Sequence, residues 1–200
     1  RTGKGTRSFG DDVLKKHGGE HPVFADLDKA LAEEPNIAII ANPTALHVPA
    51  ALEAARAGCH LLIEKPLSHT LGGIDDLITE LKAHNRVAVV AYNQRFHPLL
   101  MQIRAWLADN IIGKPMTVHA VMAERVADWH PWEDHKKSYA CREDLGGGVV
   151  FTQCHEFNFL SWLFGPPRAV YACGGTLGDL AIEVPDTTKC IIEYTGGVTA

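Results

Sequence analysis

The sequence predicts an α/β protein: a doubly wound parallel sheet followed by a second α/β region. Three observations carry this. Short strand-like apolar runs recur at 37–41, 60–63 and 87–92. Amphipathic stretches at 47–57 and 70–83 fill the intervals and are long enough to cross back over a sheet. Asn42-Pro43-Thr44 and Glu64-Lys65-Pro66 break the chain after the first two runs. Such alternation gives parallel strands joined by helical crossovers.

The elements follow in order. Residues 1–10 carry Gly3, Gly5, Gly10 and the cations Arg1, Lys4 and Arg7, and read as a loop. A short helix over 11–16 ends at Gly18-Gly19. Val23-Phe24 reads as a short strand, and Asp26 caps a helix over 27–33. The run 37–41 is β-branched and wholly apolar, as a strand buried on both faces should be. In the helix over 47–57, Pro49 falls in the first turn, where its missing N–H costs little. Its apolar stripe is Val48, Ala51, Leu52 and Ala55. The helix over 70–83 has the stripe Leu71, Ile74, Ile78 and Leu81. The run 87–92 is a third buried strand.

We place the domain boundary near Asn93, giving domains 1–93 and 94–200. Pro98 opens a helix with inner face Leu99, Ile103, Trp106 and Leu107, and 116–125 reads as a strand. Residues 126–148 show no periodicity, and an irregular stretch that long is usually functional. A helix over 149–164 ends at Gly165. Strands follow at 168–173 and 188–194, with Gly196-Gly197 as a hairpin turn.

Composition narrows the function. Net charge is −5 with no large Lys/Arg block, which argues against nucleic acid or a membrane surface as partner. No apolar run approaches the ~20 residues of a membrane span. Five cysteines without CxxC spacing read as reduced thiols in a cytoplasmic protein. His130, His135 and Cys141 match no zinc pattern, so no metal is expected. The chain opens on Arg1 and stops at Ala200 amid strand-like residues, and reads as a piece of a longer protein.

In parallel α/β sheets ligands bind at the carboxyl ends of strands. Three such ends are marked here, by Asn42-Pro43-Thr44, Glu64-Lys65-Pro66 and Asn93-Gln94-Arg95. Each alone is equally an ordinary polar loop. Lys65 can polarise a carbonyl, or be a surface lysine beside Glu64. Thr152, His155 and Asn158 recur every three residues, which puts them roughly on one helix face. His155 can act as general base near neutral pH, or be a satisfied half-buried histidine. Trp129, Trp132 and Tyr139 form either a sugar-stacking wall or the small core of a loop.

Residues 37–47, then Ala57-Gly58-Cys59-His60-Leu61-Leu62-Ile63-Glu64-Lys65-Pro66-Leu67, resemble the Gfo/Idh/MocA oxidoreductases. Tyr92-Asn93-Gln94-Arg95-Phe96-His97-Pro98, Gly146-Gly147-Gly148 and Trp162-Leu163-Phe164-Gly165 continue the resemblance. It implies a partial Rossmann domain and a partial α/β domain with an open, largely antiparallel sheet that commonly makes dimer contacts. It implies an NAD(P)-dependent dehydrogenase or reductase acting on a sugar or polyol, assembled as a homo-oligomer. Lys65 and His155 would be catalytic, with Thr152 one turn before the histidine. Arg1, Asn42, Pro43, Thr44, His47, Glu64, Lys65, Pro66 and Arg95 would line the cofactor. Trp129, Tyr139, Arg142 and Asn158 would hold the sugar. Arg1, with Lys4 and Arg7, suits a 2′-phosphate, so NADP is preferred over NAD.

The chain departs from the family in lacking the opening strand and Gly-rich phosphate loop. It also carries Thr152 and Asn158 where many members carry Asp. Two alternatives accompany the oxidoreductase reading: a non-enzymatic cofactor or sugar sensor, and an NAD-dependent glycoside-cleaving enzyme.

Overall fold

The structure, a computed structural model, describes residues 22–200. The expectations for 1–21, Arg1 and the helix over 11–16 included, lie outside the described residues. The chain divides after Val90 into two compact units, three residues before the predicted boundary.

In the first unit Asp26 caps α1 (Leu27–Leu31), its carboxylate accepting from the Asp28 amide at 2.9 Å. Then come β1 (Ile37–Ile40), α2 (His47–Arg56), β2 (His60–Ile63), α3 (Ile74–Ala83) and β3 (Ala88–Val90). The strands are parallel, in the order β1-β2-β3. Ile40 pairs with Ile63 and Ile63 with Val90, so the three strands end in register. Ala51, Ala54 and Ala55 of α2 are fully buried; their small side chains let the helix lie close to the sheet. Ile40, Leu61, Ile63, Cys59 and Leu77 complete this core. The Cys59 thiol donates to the Pro35 carbonyl at 3.0 Å, and burial pushes its pKa up, which keeps it an inert core group.

Several boundaries differ from expectation. No strand forms at 23–24. Helix α3 begins at Ile74, because Gly73 at its N-cap takes a left-handed φ of 75°. That later start leaves Leu71 outside the helix and 88% exposed, and brings Leu77 rather than Ile78 into the core. β1 is not buried on both faces: Ile37 and Ile39 are exposed while Ala38 and Ile40 turn inward. Among the described residues, helices cover one side of this sheet only.

In the second unit, α4 (Pro98–Ala108) is capped by His97, whose ring accepts from the Leu99 amide. Its expected inner face stays largely open, with Leu99, Ile103 and Trp106 all exposed. The strand predicted at 116–125 shrinks to a bridge in which the Val118 amide donates to the Thr199 carbonyl and the Thr199 amide to that of Met116. Residues 126–148 form short 3-10 turns. The helix predicted over 149–164 breaks at Gln153 (φ −107°, ψ 43°) into α5 (Val149–Thr152) and α6 (His155–Phe164). β4 (Pro167–Gly175) and β5 (Thr187–Tyr194) form an antiparallel pair that supports α6 through Leu160, Ile192 and Tyr194. Gly196-Gly197 turns the chain as expected, with the Gly197 amide donating to Tyr194 O at 2.9 Å. No described helix is long and apolar enough to cross a membrane.

The lead into α5 depends on Gly147. A Cβ there would lie 2.7 Å from the carbonyl oxygens of Ala140 and Arg142, and nearer still to that of Tyr139. Backbone oxygens cannot swing aside as side chains do, so Gly147→Ala should cost about 3 kcal/mol. Urea unfolding of the intact protein measures this; an unchanged midpoint would contradict the packing described.

The loop between β4 and β5 hangs on Asp186. Its carboxylate accepts from the amides of Leu177 (2.9 Å) and Gly178 (2.8 Å) and from the Thr187 hydroxyl (2.8 Å). Those donors hold its pKa below the ordinary 3.8. A depressed carboxylate stabilises the fold above the unfolded value, and the contribution fades as pH falls through the folded one. Asp186→Asn should therefore lower the melting temperature at pH 7 by a few degrees. The difference should shrink steadily as pH falls from 3.8 through the lowered folded pKa, and a gap that stays constant over that acid range would contradict it.

Candidate active site

The candidate residues of the first unit sit on two loops at the carboxyl edge of the sheet. The first leaves β1 through Asn42 and Pro43 and winds into a 3-10 turn, Thr44–Leu46, before α2. The second leaves β2 through Glu64, Lys65 and Pro66, and the Lys65–Pro66 peptide is cis. Because β1 and β2 end in register, both loops start from one line.

The side chains differ in availability. Thr44, His47 and Pro66 are buried, Asn42, Pro43 and Lys65 are half-buried, and Glu64 is exposed. His47 is 1% exposed, with Nδ1 at 2.8 Å from the Pro66 carbonyl and Nε2 at 2.8 Å from the Asn42 carbonyl. Asn42 Nδ2 donates to Leu46 O at 3.1 Å, while its Oδ1 is buried with no partner. Glu64 accepts from the Lys65 amide at 3.3 Å. The orphaned Asn42 Oδ1, at the carboxyl edge of a parallel sheet, suits a ligand that donates a hydrogen bond, such as a ribose hydroxyl or a carboxamide.

Of the second unit's candidate residues, His155, Asn158 and Arg95 gather around one face of α6. His155, Asn158 and Trp162 share that face by helical spacing. The Tyr92 ring meets the His155 ring edge-on, 6.2 Å between centroids at 81°. Burial pushes the Tyr92 phenol up to about 12, and the Cys154 thiol beside it adds to the rise. Arg95 Nε donates to Asn158 Oδ1 at 2.7 Å, and the Arg95 guanidinium lies 5.9 Å from the Trp162 ring centroid. Arg104 stacks on the same ring at 4.7 Å. Each such cation–π contact contributes about 0.5–1 kcal/mol.

The structure does not bring all predicted residues to this face. Thr152 belongs to α5, on the far side of the helix break, and its hydroxyl donates to Gly148 O at 3.0 Å. The break at Gln153 interrupts the spacing that aligns it with His155. Trp129 lines a cavity of 610 Å³ together with Thr152, Gln153, Glu156, Phe157 and Leu160. On α6 those last three positions point away from the side of His155, Asn158 and Trp162. Arg142 pairs with Asp144, and Tyr139 contributes a backbone carbonyl to the tight packing around Gly147. No cluster of potential metal ligands occurs among the described residues. Tyr92, Arg104 and Trp162 are neighbours that no spacing rule in the sequence singles out.

Comparison with known proteins identifies the class. Residues 11–92 match the oxidoreductase family with an NAD-binding Rossmann fold, and residues 100–200 match the GFO/IDH/MocA C-terminal domain. The chain belongs to the Gfo/Idh/MocA family. It is 26% identical over 178 residues to mouse trans-1,2-dihydrobenzene-1,2-diol dehydrogenase, covering 84% of this chain and 49% of that one. It is 26% identical over 177 residues to D-xylose 1-dehydrogenase [NADP(+)] of Haloarcula marismortui, covering 86% and 48%. Among solved structures, the WlbA dehydrogenase of Bordetella pertussis, in complex with NADH and UDP-GlcNAcA, superimposes with a TM-score of 0.80. Identity there is 23%, over 94% of this chain and 59% of that one. The chain spans about half the length of these relatives.

The Arg95–Asn158 bond gives a test of this geometry. Replacing the neutral amide by a carboxylate in Asn158→Asp converts a hydrogen bond into an ion pair with little change of shape. The new carboxylate should titrate below the ordinary range beside Arg95. Its stabilisation should be present at pH 7 and lost as pH falls through that lowered pKa. Melting curves at pH 7 and pH 3 measure it; a variant less stable than the parent at pH 7 would contradict the pairing.

Proposed function

We propose that the intact protein transfers a hydride between a nicotinamide dinucleotide and a carbon of a sugar or sugar derivative. The observation that carries this is the pair of in-register loops with Lys65 on one and the unpartnered Asn42 Oδ1 on the other. Family membership supports it, and relatives named as dehydrogenases of a sugar and of a cyclic diol suggest the substrate class.

The dinucleotide supplies the hydride donor or acceptor when bound. Asn42, Pro43, Glu64 and Lys65 would hold it in the first unit, Thr44, His47 and Pro66 supporting them from beneath. Arg95 is assigned here to positioning Asn158, since its Nε is engaged with that amide. The Lys65 ammonium stabilises negative charge developing on the substrate oxygen. His155 exchanges the hydroxyl proton as general base or acid. Tyr92, neutral across the physiological range, limits the ring movement of His155 without competing for the proton. Asn158 is the proposed sugar contact beside His155, whereas Trp129 lines the cavity on the opposite side of α6. NADP is preferred over NAD on the strength of Arg1, Lys4 and Arg7. A homo-oligomer is proposed from the exposed cross-strand pair Tyr171 and Ile191 on the β4–β5 sheet.

A non-enzymatic binder is the second reading. It is favoured by the absence of carboxylates at Thr152 and Asn158, whose side chains are engaged by Gly148 and Arg95.

In the intact protein Lys65→Met should lower turnover at saturating dinucleotide roughly 100- to 10,000-fold, with dinucleotide binding weakened but still measurable. A screen of sugars, polyols and nucleotide sugars, followed by nicotinamide absorbance, measures this. Near-parental turnover removes Lys65 from the mechanism. Binding of dinucleotide with no hydride transfer to any sugar favours the second reading.

A further inference from the structure

Among the described residues, the ring of His47 is hydrogen-bonded to two backbone carbonyls. Nδ1 lies 2.8 Å from Pro66 O, and Nε2 lies 2.8 Å from Asn42 O. The first carbonyl belongs to the loop that carries Lys65; the second belongs to the residue whose side-chain oxygen awaits a partner. With 1% of its surface exposed, the ring has no access to water that could replace either bond.

We propose that His47 is a positioning residue, an imidazolium clasp that donates from both ring nitrogens and fixes the two loops of the dinucleotide site against each other. A carbonyl oxygen only accepts. A neutral imidazole carries one N–H, so its bare nitrogen would face one of these carbonyls, lone pair against lone pair, at 2.8 Å. Only the doubly protonated ring makes both contacts attractive. Two effects oppose the charge. His47 opens α2, where the helix dipole disfavours a cation, and the site is buried. Against both stand two charge-assisted bonds to well-placed acceptors, whereas a neutral ring would leave one buried carbonyl facing a bare nitrogen and unbonded.

The ionisable groups on the surrounding elements are Glu53 and Arg56 of α2, His60 of β2, Glu64, Lys65 and His69 of the second loop, and Asp75, Asp76, Glu80 and Lys82 of α3. None of them is hydrogen-bonded to the ring among the described residues. Among the described residues, the two carbonyls are the ring's hydrogen-bond partners. The backbone then explains the spacing Asn42-Pro43-Thr44-Ala45-Leu46-His47. The 3-10 turn, closed by the Leu46 amide on Pro43 O at 2.8 Å, brings the ring back beneath the carbonyl where the loop began.

The inference rests on the dinucleotide reading of this edge, and two measurements separate its failure from failure of that reading. In the intact protein labelled with 15N-histidine, the His47 ring signals are assigned by their loss in His47→Gln. Two nitrogen-bound ring protons, both slow to exchange at pH 7, are expected. One protonated and one bare nitrogen would overturn the clasp, whether or not the protein binds a dinucleotide. The second measurement is titration of NAD+ and NADP+ into the parent and His47→Gln. Glutamine can reach one carbonyl but cannot bridge two that are served by opposite ring atoms. The dissociation constant should rise at least tenfold, with a smaller change in turnover of the saturated enzyme. Parental affinity in a folded His47→Gln would overturn the positioning role. Failure of that variant to fold leaves the decision to the ring protons of the parent, and failure of the parent to bind either dinucleotide overturns the proposed function alone.

Discussion

Parallel pairing that ends β1, β2 and β3 in register is the constraint on which the first unit depends. A slip of one residue would turn every side chain of a strand to the opposite face. It would take Ile40 and Ile63 out of the core and displace the loop that follows. The core prevents this. Ala51, Ala54 and Ala55 bring α2 onto the sheet, where Ile63 and Leu61 fill the contact with no exposed surface to spare. Packing thus fixes where each strand ends, and the strand ends fix where Asn42 and Lys65 begin their work.

The second unit places its chemistry differently. Here α6 is held by the antiparallel pair β4–β5 on one side through Leu160, Ile192 and Tyr194. Its polar face carries His155, Asn158 and Trp162, each met by a group from the chain that leads into the unit. Tyr92 and Arg95 come from that lead, so local sequence on either side of α4 supplies both halves of the arrangement. The helix break at Gln153 gives the face its phase, because it frees His155 from the register of α5.

Much of this was legible in residue pattern. The parallel strands, α2, the β4 and β5 positions and the Gly196-Gly197 turn follow from apolar periodicity and turn formers, signals that depend on near neighbours. The start of α3 was not, because the left-handed Gly73 outweighs the periodicity that seems to begin at Leu71. The strand expected at 116–125 needs a partner remote in sequence and finds it only at Thr117 and Val118. Among site residues, Asn42 and Lys65 stood out because strand ends mark ligands in parallel sheets. His47 is marked in the sequence only by the family resemblance, which places it on the cofactor. Its burial and its two carbonyl partners are products of a turn geometry that no spacing rule specifies. The break between Thr152 and His155 is hidden for the same reason: it is a local backbone event that an i, i+3 pattern cannot reveal.

The central claim is that the in-register loops of the first unit form a dinucleotide site. The most direct test is to purify the intact protein without added cofactor, denature it, and identify released small molecules by mass spectrometry, with titration of NADPH and NADH into any empty protein. The account predicts stoichiometric NADP(H) or NAD(H) on release, or saturable binding on titration, with NADP(H) the tighter. A protein that releases neither and binds neither would contradict it.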